Sequence, residues 1–206
     1  ADPLLAGSGQ FNAGIARGAE NAFRLTDLRL TTPALDLTGD AALQPGGPTS
    51  ADIKLAIADA SVLDPSLTGP LNVSVTATPA ADNTVAVALR ADGPGATVGL
   101  DATVAAPADD YLVDGTLTAQ LADLAAYRAL VGQPVAGAID LTVTGSVLPD
   151  LSRFDANVKL RSEDLAVGNP TADVLLRGTG RVNADLGLAD GIYAIRTLEV
   201  STRELS

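Results

Sequence analysis

Asp109, Asp110 and Asp114, beside Gly115, form a dense group of oxygen donors, and three carboxylates near a turn offer weak Ca²⁺ ligation. Their spacing matches neither an EF-hand loop nor the Gly-Asp repeats of calcium-binding β-rolls. A loop of solvated carboxylates is the simpler reading, and Glu163 and Asp164 read likewise as a turn. Paired carboxylates can cleave glycosides, but sugar sites usually carry aromatic platforms. Here there are three Phe, three Tyr and no Trp. The chain has no His and no Cys, which removes imidazole acid–base catalysis, the usual triads, His and thiolate metal sites, and Cys nucleophiles. The pieces GSG (Gly7–Gly9), GPG (Gly93–Gly95) and GTG (Gly178–Gly180) lack the Lys and strand-to-helix setting of a phosphate loop. They read as tight bends or close backbone approaches. No catalytic residue, metal or cofactor is expected, and the chain reads as a non-enzyme.

Charge narrows the partners. A net charge of −12, with Lys54 and Lys159 the only lysines and the arginines scattered singly, argues against a nucleic-acid partner. It equally disfavours electrostatic attachment to anionic membranes. Lack of Cys is compatible with an envelope compartment. No apolar run approaches the roughly 20 residues of a membrane-spanning helix.

The elements that dominate are strands. Apolar residues alternate with Thr, Ser, Asp, Asn, Lys and Arg through Leu5–Ile15, Leu35–Leu43, Ile53–Ile57, Leu71–Val75, Val85–Leu89, Val98–Val104, Tyr111–Leu117, Ile139–Val143, Phe154–Leu160, Val174–Leu176 and Val182–Leu186. Phe23–Leu25 and Leu28–Leu30 are offset by one extra residue, which predicts a β-bulge or a change of face. Turn chemistry punctuates the strands at QPGGPTS, Asp92–Gly95, Ala106–Asp110, Gly168–Pro170 and Leu188–Gly191. Gln120–Gly132 breaks the alternation: Leu121, Leu124, Ala125, Leu130 and Val131 stand near helical spacing before Gly132 and Pro134, so a short amphipathic helix that plugs an end or covers an edge is expected. Ala58–Gly69 carries Pro65 and predicts only a turn or loop. One wet face and one apolar face result, to be buried by closure into a barrel or sandwich or by a curved sheet folding over its own groove.

The chain also repeats itself. Gly7, Gly9, Phe11, Asn12, Ala13 and Ile15 match Gly178, Gly180, Val182, Asn183, Ala184 and Leu186 at a constant offset. After one dropped residue, Phe23, Leu25, Leu28, Leu30, Thr32 and Leu35 match Tyr193, Ile195, Leu198, Val200, Thr202 and Leu205. A looser repeat relates 69–91 to 137–162, with Leu71, Val73 and Val75 on Ile139, Leu141 and Val143, and Val87 and Leu89 on Val158 and Leu160. Such repetition marks stacked, extended architectures. We expect residues 1–206 to be a single elongated section of a larger protein.

The phrase DLAAYRALVGQPVAGAIDLTVTG and the run DANVKLRSEDLAVGNPTADVLLRGTG resemble the TamB family, through Leu121, Leu124, Leu130, Val131, Gly132, Val135, Gly137, Ile139, Leu141, Val143 and Gly145. The resemblance is one of pattern and covers essentially the whole chain. It implies a periplasmic bridge of Gram-negative bacteria, anchored in the inner membrane outside this section. It also implies an all-β fold: an elongated, curved sheet folded into an open apolar groove, a β-taco, with at most one short helix near 121–131. The implied partners are phospholipid acyl chains and, through the parent protein, a TamA-like outer-membrane barrel. The implied function is lipid transport between inner and outer membranes and support of outer-membrane protein assembly and secretion. Alternation and resemblance meet in a groove lined by Leu71, Val73, Val75, Val87, Leu89, Val98, Leu100, Ile139, Leu141, Val143, Val158 and Leu160. A closed core would use the same residues. Two alternatives stay open: a chaperone-like groove that lends strand edges to outer-membrane polypeptides, and a structural β-solenoid or adhesin module.

Overall fold

The computed structural model describes residues 4, 7–44, 49–81, 84–105, 112–189 and 191–202. It is all-β, an open antiparallel sheet of twelve strands in chain order. The strands are β1 (Gln10–Arg17), β2 (Phe23–Thr31), β3 (Leu35–Leu43), β4 (Ser50–Ile57), β5 (Leu71–Pro79) and β6 (Thr84–Gly93), then β7 (Ala96–Ala105), β8 (Leu112–Leu121), β9 (Ala136–Val147), β10 (Phe154–Ala166), β11 (Thr179–Ala189) and β12 (Ile192–Thr202). The chain divides into two units, Ala1–Pro94 with Leu100–Ala106 and Gly95–Gly99 with Pro107–Ser206, so β7 contributes to both.

In the first unit, the extra residue between Leu25 and Leu28 is the predicted bulge: the β2–β3 register shifts there, with Asp27 at φ 53°. The freed Asp27 amide donates to Asp40 Oδ1 at 2.9 Å. The β4–β5 connection is a loop with one 3₁₀ turn, Ala60–Val62. Ile57 at the end of β4, and Ala60 and Leu67 in this loop, are buried. Asp59 closes the loop, its Oδ1 accepting from the Ser61 amide at 3.0 Å and the Gly69 amide at 3.1 Å.

These bonds, that of the Ser61 amide foremost, hold the Asp59 pKa below the ordinary aspartate value. A depressed folded pKa adds stability that is present above the unfolded value and lost as pH falls through the folded one. Loop closure is therefore expected to persist through neutral and mildly acidic pH and to loosen only in stronger acid. The amide shifts of Ser61 and Gly69, followed by NMR down the pH scale, check this. Asp59→Ala is expected to show the loosened shifts already at neutral pH.

In the second unit, the segment read as one helix from Gln120 is shorter. Leu121 ends β8, Leu124–Tyr127 is a 3₁₀ turn capped by Asp123, and α1 is Arg128–Val131, stopped by Gly132 at φ 69°. Its end is not a plug, because Leu130 and Val131 are exposed.

Two further expectations are corrected. Val174–Leu176 is not a strand: Pro170–Leu175 forms α2, with Asn169 Oδ1 accepting from the Thr171 and Ala172 amides at 3.0 and 3.1 Å and Pro170 in the first helical turn. Glu163 and Asp164 are not a turn: they lie inside β10, at a bulge where Asp164 adopts φ 46° and its Oδ1 accepts from the Gly178 amide at 2.9 Å.

The repeats acquire structural meaning. β1–β2 and β11–β12 are equivalent hairpins: Phe11 faces Leu30 as Val182 faces Val200, and Ile15 faces Leu25 as Leu186 faces Ile195. Both hairpins shift register in the same part of the repeat, between Asn12 and Gly14 in one and between Asp185 and Leu186 in the other. The looser repeat keeps the face but not the register. Val75 pairs with Leu89, whereas its counterpart Val143 pairs with Val158 rather than Leu160. A two-residue slip preserves which side chains face the core, so sequence similarity survives it.

Candidate functional site: two apolar sheet faces

Residues directly opposite in an antiparallel ladder share a face, so the registers assign every side chain below. In the first unit, Leu35, Ile57 and Leu71 form one cross-strand row, and Leu37, Leu55, Val73 and Ala91 the next. Ile53, Val75 and Leu89 continue behind Gly39, and Ala51, Ala77 and Val87 behind Ala41. Toward β1 the same face carries Leu30 opposite Phe11 and Leu25 opposite Ile15. Across β2 to β6 these rows hold no charged residue. The alternation is plainest in β4, where Ala51, Ile53, Leu55 and Ile57 are covered while Asp52, Lys54 and Ala56 are exposed.

The second unit builds the same surface. Leu121 and Ile139 begin it, followed by the rows Ala119–Leu141–Leu160–Val182–Val200 and Leu117–Val143–Val158–Ala184–Leu198. A small-residue row, Gly115–Gly145–Ala156, comes next, then Val113–Val147–Phe154–Leu188–Tyr193. Ser162, Gly180 and Thr202 close it at one end with small side chains and two hydroxyls. No charge stands in any of these rows.

The opposite face is polar. Thr116 and Thr144 hydroxyls meet at 3.2 Å, and Asn157 Nδ2 donates to Asp185 Oδ1 at 2.7 Å. Arg196 pairs with Asp155 at 2.6 Å and, in the first unit, Arg90 pairs with Asp101 at 2.6 Å. All four of these charged side chains are largely exposed, so the pairs contribute little stability and keep this face wet.

The structure therefore brings the expected lining together in two sets. Leu71, Val73, Val75, Val87 and Leu89 share the face of the first unit; Ile139, Leu141, Val143, Val158 and Leu160 share that of the second. Val98 and Leu100 alternate on β7 beside buried Ala102. All twelve are half-buried. Among the described residues no large side chain is fully buried. What sequence reasoning missed is the outer part of the faces: Phe11, Ile15, Tyr193, Ile195, Leu198 and Val200 are all more than half exposed. The repeat aligns Phe11 and Ile15 with Val182 and Leu186, and Tyr193, Ile195, Leu198 and Val200 with Phe23, Leu25, Leu28 and Leu30.

A cavity of about 490 Å³ opens at one end of the second unit, lined by Leu112, Phe154, Leu188 and Ile192 together with Arg153 and the Arg196–Asp155 pair. Its volume is that of a small-ligand site. The Phe154 and Tyr193 rings tilt against each other at 6.5 Å beside it. Of the expected carboxylate group, Asp114 is exposed on the polar face opposite Ser146, while Asp109 and Asp110 lie outside the described residues. Among the described residues no group of three metal-ligating side chains assembles, and no helix is long and apolar enough to cross a membrane.

No family model, no curated protein and no solved structure matches the chain.

Proposed function

We propose that the chain is a section of a TamB-like periplasmic bridge whose apolar sheet faces shield phospholipid acyl chains in passage between the inner and outer membranes, in support of outer-membrane protein assembly. The carrying observation is the uncharged apolar face that each unit extends over consecutive strands while leaving it only partly covered. Sheet curvature that turns this face inward, as in a β-taco, would give the chains a groove. Each buried methylene gains roughly 0.8 kcal/mol against water. Rows of Leu, Val, Ile and Ala resemble one another, so an acyl chain shifts along them without a deep well to leave. Direction of transport has to come from the rest of the bridge, its inner-membrane anchor and its outer-membrane barrel partner.

The second reading, a groove that lends strand edges to unfolded polypeptides, draws on one observation: the apolar side chains of β12 stay exposed beside an outer edge.

A fluorescent polyene fatty acid titrated into delipidated protein tests the first reading. Saturable enhancement that phospholipid reverses is expected. Enhancement reversed by an amphipathic strand peptide and not by phospholipid would shift the assignment to the second.

A further inference from the structure

We propose that the cavity at the end of the second unit binds a small monocarboxylate with a compact apolar body, on the wet side of the sheet and apart from the apolar rows. The registers locate it. On the wet face the row Thr116–Thr144–Asn157–Asp185–Thr197 is polar throughout. The next row outward, Asp114–Ser146–Asp155–Gly187–Ala194, is polar on β8 to β10 and loses its polarity at Gly187 and Ala194. One step further out, alternation brings Leu112 to this side from β8, and Ala189 pairs with Ile192. The wet face thus turns apolar at one end, and the cavity of about 490 Å³ lies there, lined by Leu112, Ala189, Ile192 and Ala194. Its volume is in the range of small-molecule sites.

Two arginines and one aspartate charge this lining. Arg196 is the extra residue at the β12 bulge, a feature that re-aims a side chain. It reaches Asp155 at 2.6 Å across Gly187, where a Cβ would lie 3.4 Å from a guanidinium nitrogen. That pair forms a polar wall whose charges meet each other. Arg153 stands on the same side: the Leu148 amide donates to its carbonyl at 3.0 Å, carrying the β9–β10 ladder one residue past Phe154 and Val147. Among the described residues Arg153 forms no ion pair. The cavity therefore holds one surplus positive charge in a chain of net charge −12. A guanidinium fork takes the two oxygens of a carboxylate together. Asp155 beside it disfavours a second negative charge on the ligand, which selects a monoanion over a phosphate dianion. The apolar body of the ligand covers Ile192, which is otherwise 71% exposed. None of this depends on what the opposite face holds.

Naphthoate and its neutral analogue naphthalenemethanol, titrated separately into the delipidated chain and followed by amide NMR, test the site. Naphthoate is expected to shift the Ser146, Gly187 and Ala194 amides saturably, and the alcohol to bind about tenfold more weakly for want of the charge-assisted bonds. Arg153→Gln should bring naphthoate down to the affinity of the alcohol, and Arg153→Lys, which keeps the charge without the fork, should fall between. Arg153 is exposed, so its replacement is not expected to unfold the unit. Should it do so, the comparison of acid with alcohol on the parent chain still decides. Equal affinity for the two probes, unchanged binding in Arg153→Gln, or shifts centred on Leu141 and Val143 of the opposite face would each overturn the proposal, as would the absence of any saturable shift.

Discussion

Leu141→Asp is expected to weaken acyl-chain binding to the second unit at least tenfold, while Thr142→Asp, one residue further on, changes it less than twofold. The two positions are neighbours in sequence and opposites in space. Leu141 lies between Ala119 and Leu160 on the uncharged face; Thr142 lies between Thr118 and Lys159 on the wet one. A carboxylate at position 141 must be stripped of water by any chain that covers it, which costs several kcal/mol unless it protonates. At position 142 the new carboxylate stays solvated and gains Lys159 as an exposed neighbour. Titration of both variants with the polyene fatty acid reads the difference. Val143→Asp provides a second apolar-face variant should Leu141→Asp fold poorly. Equal losses on the two faces would contradict a functional role for the apolar one.

Gly145→Val is expected to destabilise the second unit by about 3 kcal/mol, the upper end of the usual cost of overpacking. Gly145 sits in β9 between Gly115 and Ala156, and a Cβ there would fall against the carbonyl oxygen of Asp155, deep inside van der Waals contact. That oxygen is backbone, so relief requires β9 and β10 to move apart. Gly95 is the comparison: its Cβ would meet nothing within 4 Å, but its φ is 69°. Gly95→Ala should therefore cost only about 1 kcal/mol, the price of the left-handed backbone. Denaturant midpoints for both variants check the order. A Gly145→Val midpoint within error of the parent would mean that the two strands are not packed as described.

How much of this was legible differs from element to element. β3 was readable to its ends because Leu35, Leu37, Gly39, Ala41 and Leu43 alternate without interruption. The bulge after Leu25 was readable because one extra residue flips the pattern. Val174–Leu176 misled because three apolar residues in a row fit a strand and a short helix equally. The cap at Asn169 and the proline after it were the deciding signals. Glu163 and Asp164 looked like a turn because their acidic pair resembles one, whereas the backbone absorbs Asp164 as a bulge within a continuing strand. Leu130 and Val131 had helical spacing but no partner to cover them, and spacing does not reveal partners. Pairing likewise cannot be read from period-two alternation. The repeat carried part of it, since equal sequences at the two hairpins came with equal registers. The inner rows of the candidate faces followed from alternation alone. Their outer rows, on β1 and β12, did not, because a lining residue and an exposed edge residue have the same sequence signature.

The central claim is that the apolar faces hold acyl chains, and native mass spectrometry of the protein purified from bacteria without detergent tests it most directly. Phospholipid retained at near-stoichiometric levels, and lost in Leu141→Asp but not in Thr142→Asp, is the result expected. A clean apo mass, with no uptake of added phospholipid, would contradict the account and leave the faces as packing surfaces of a structural module.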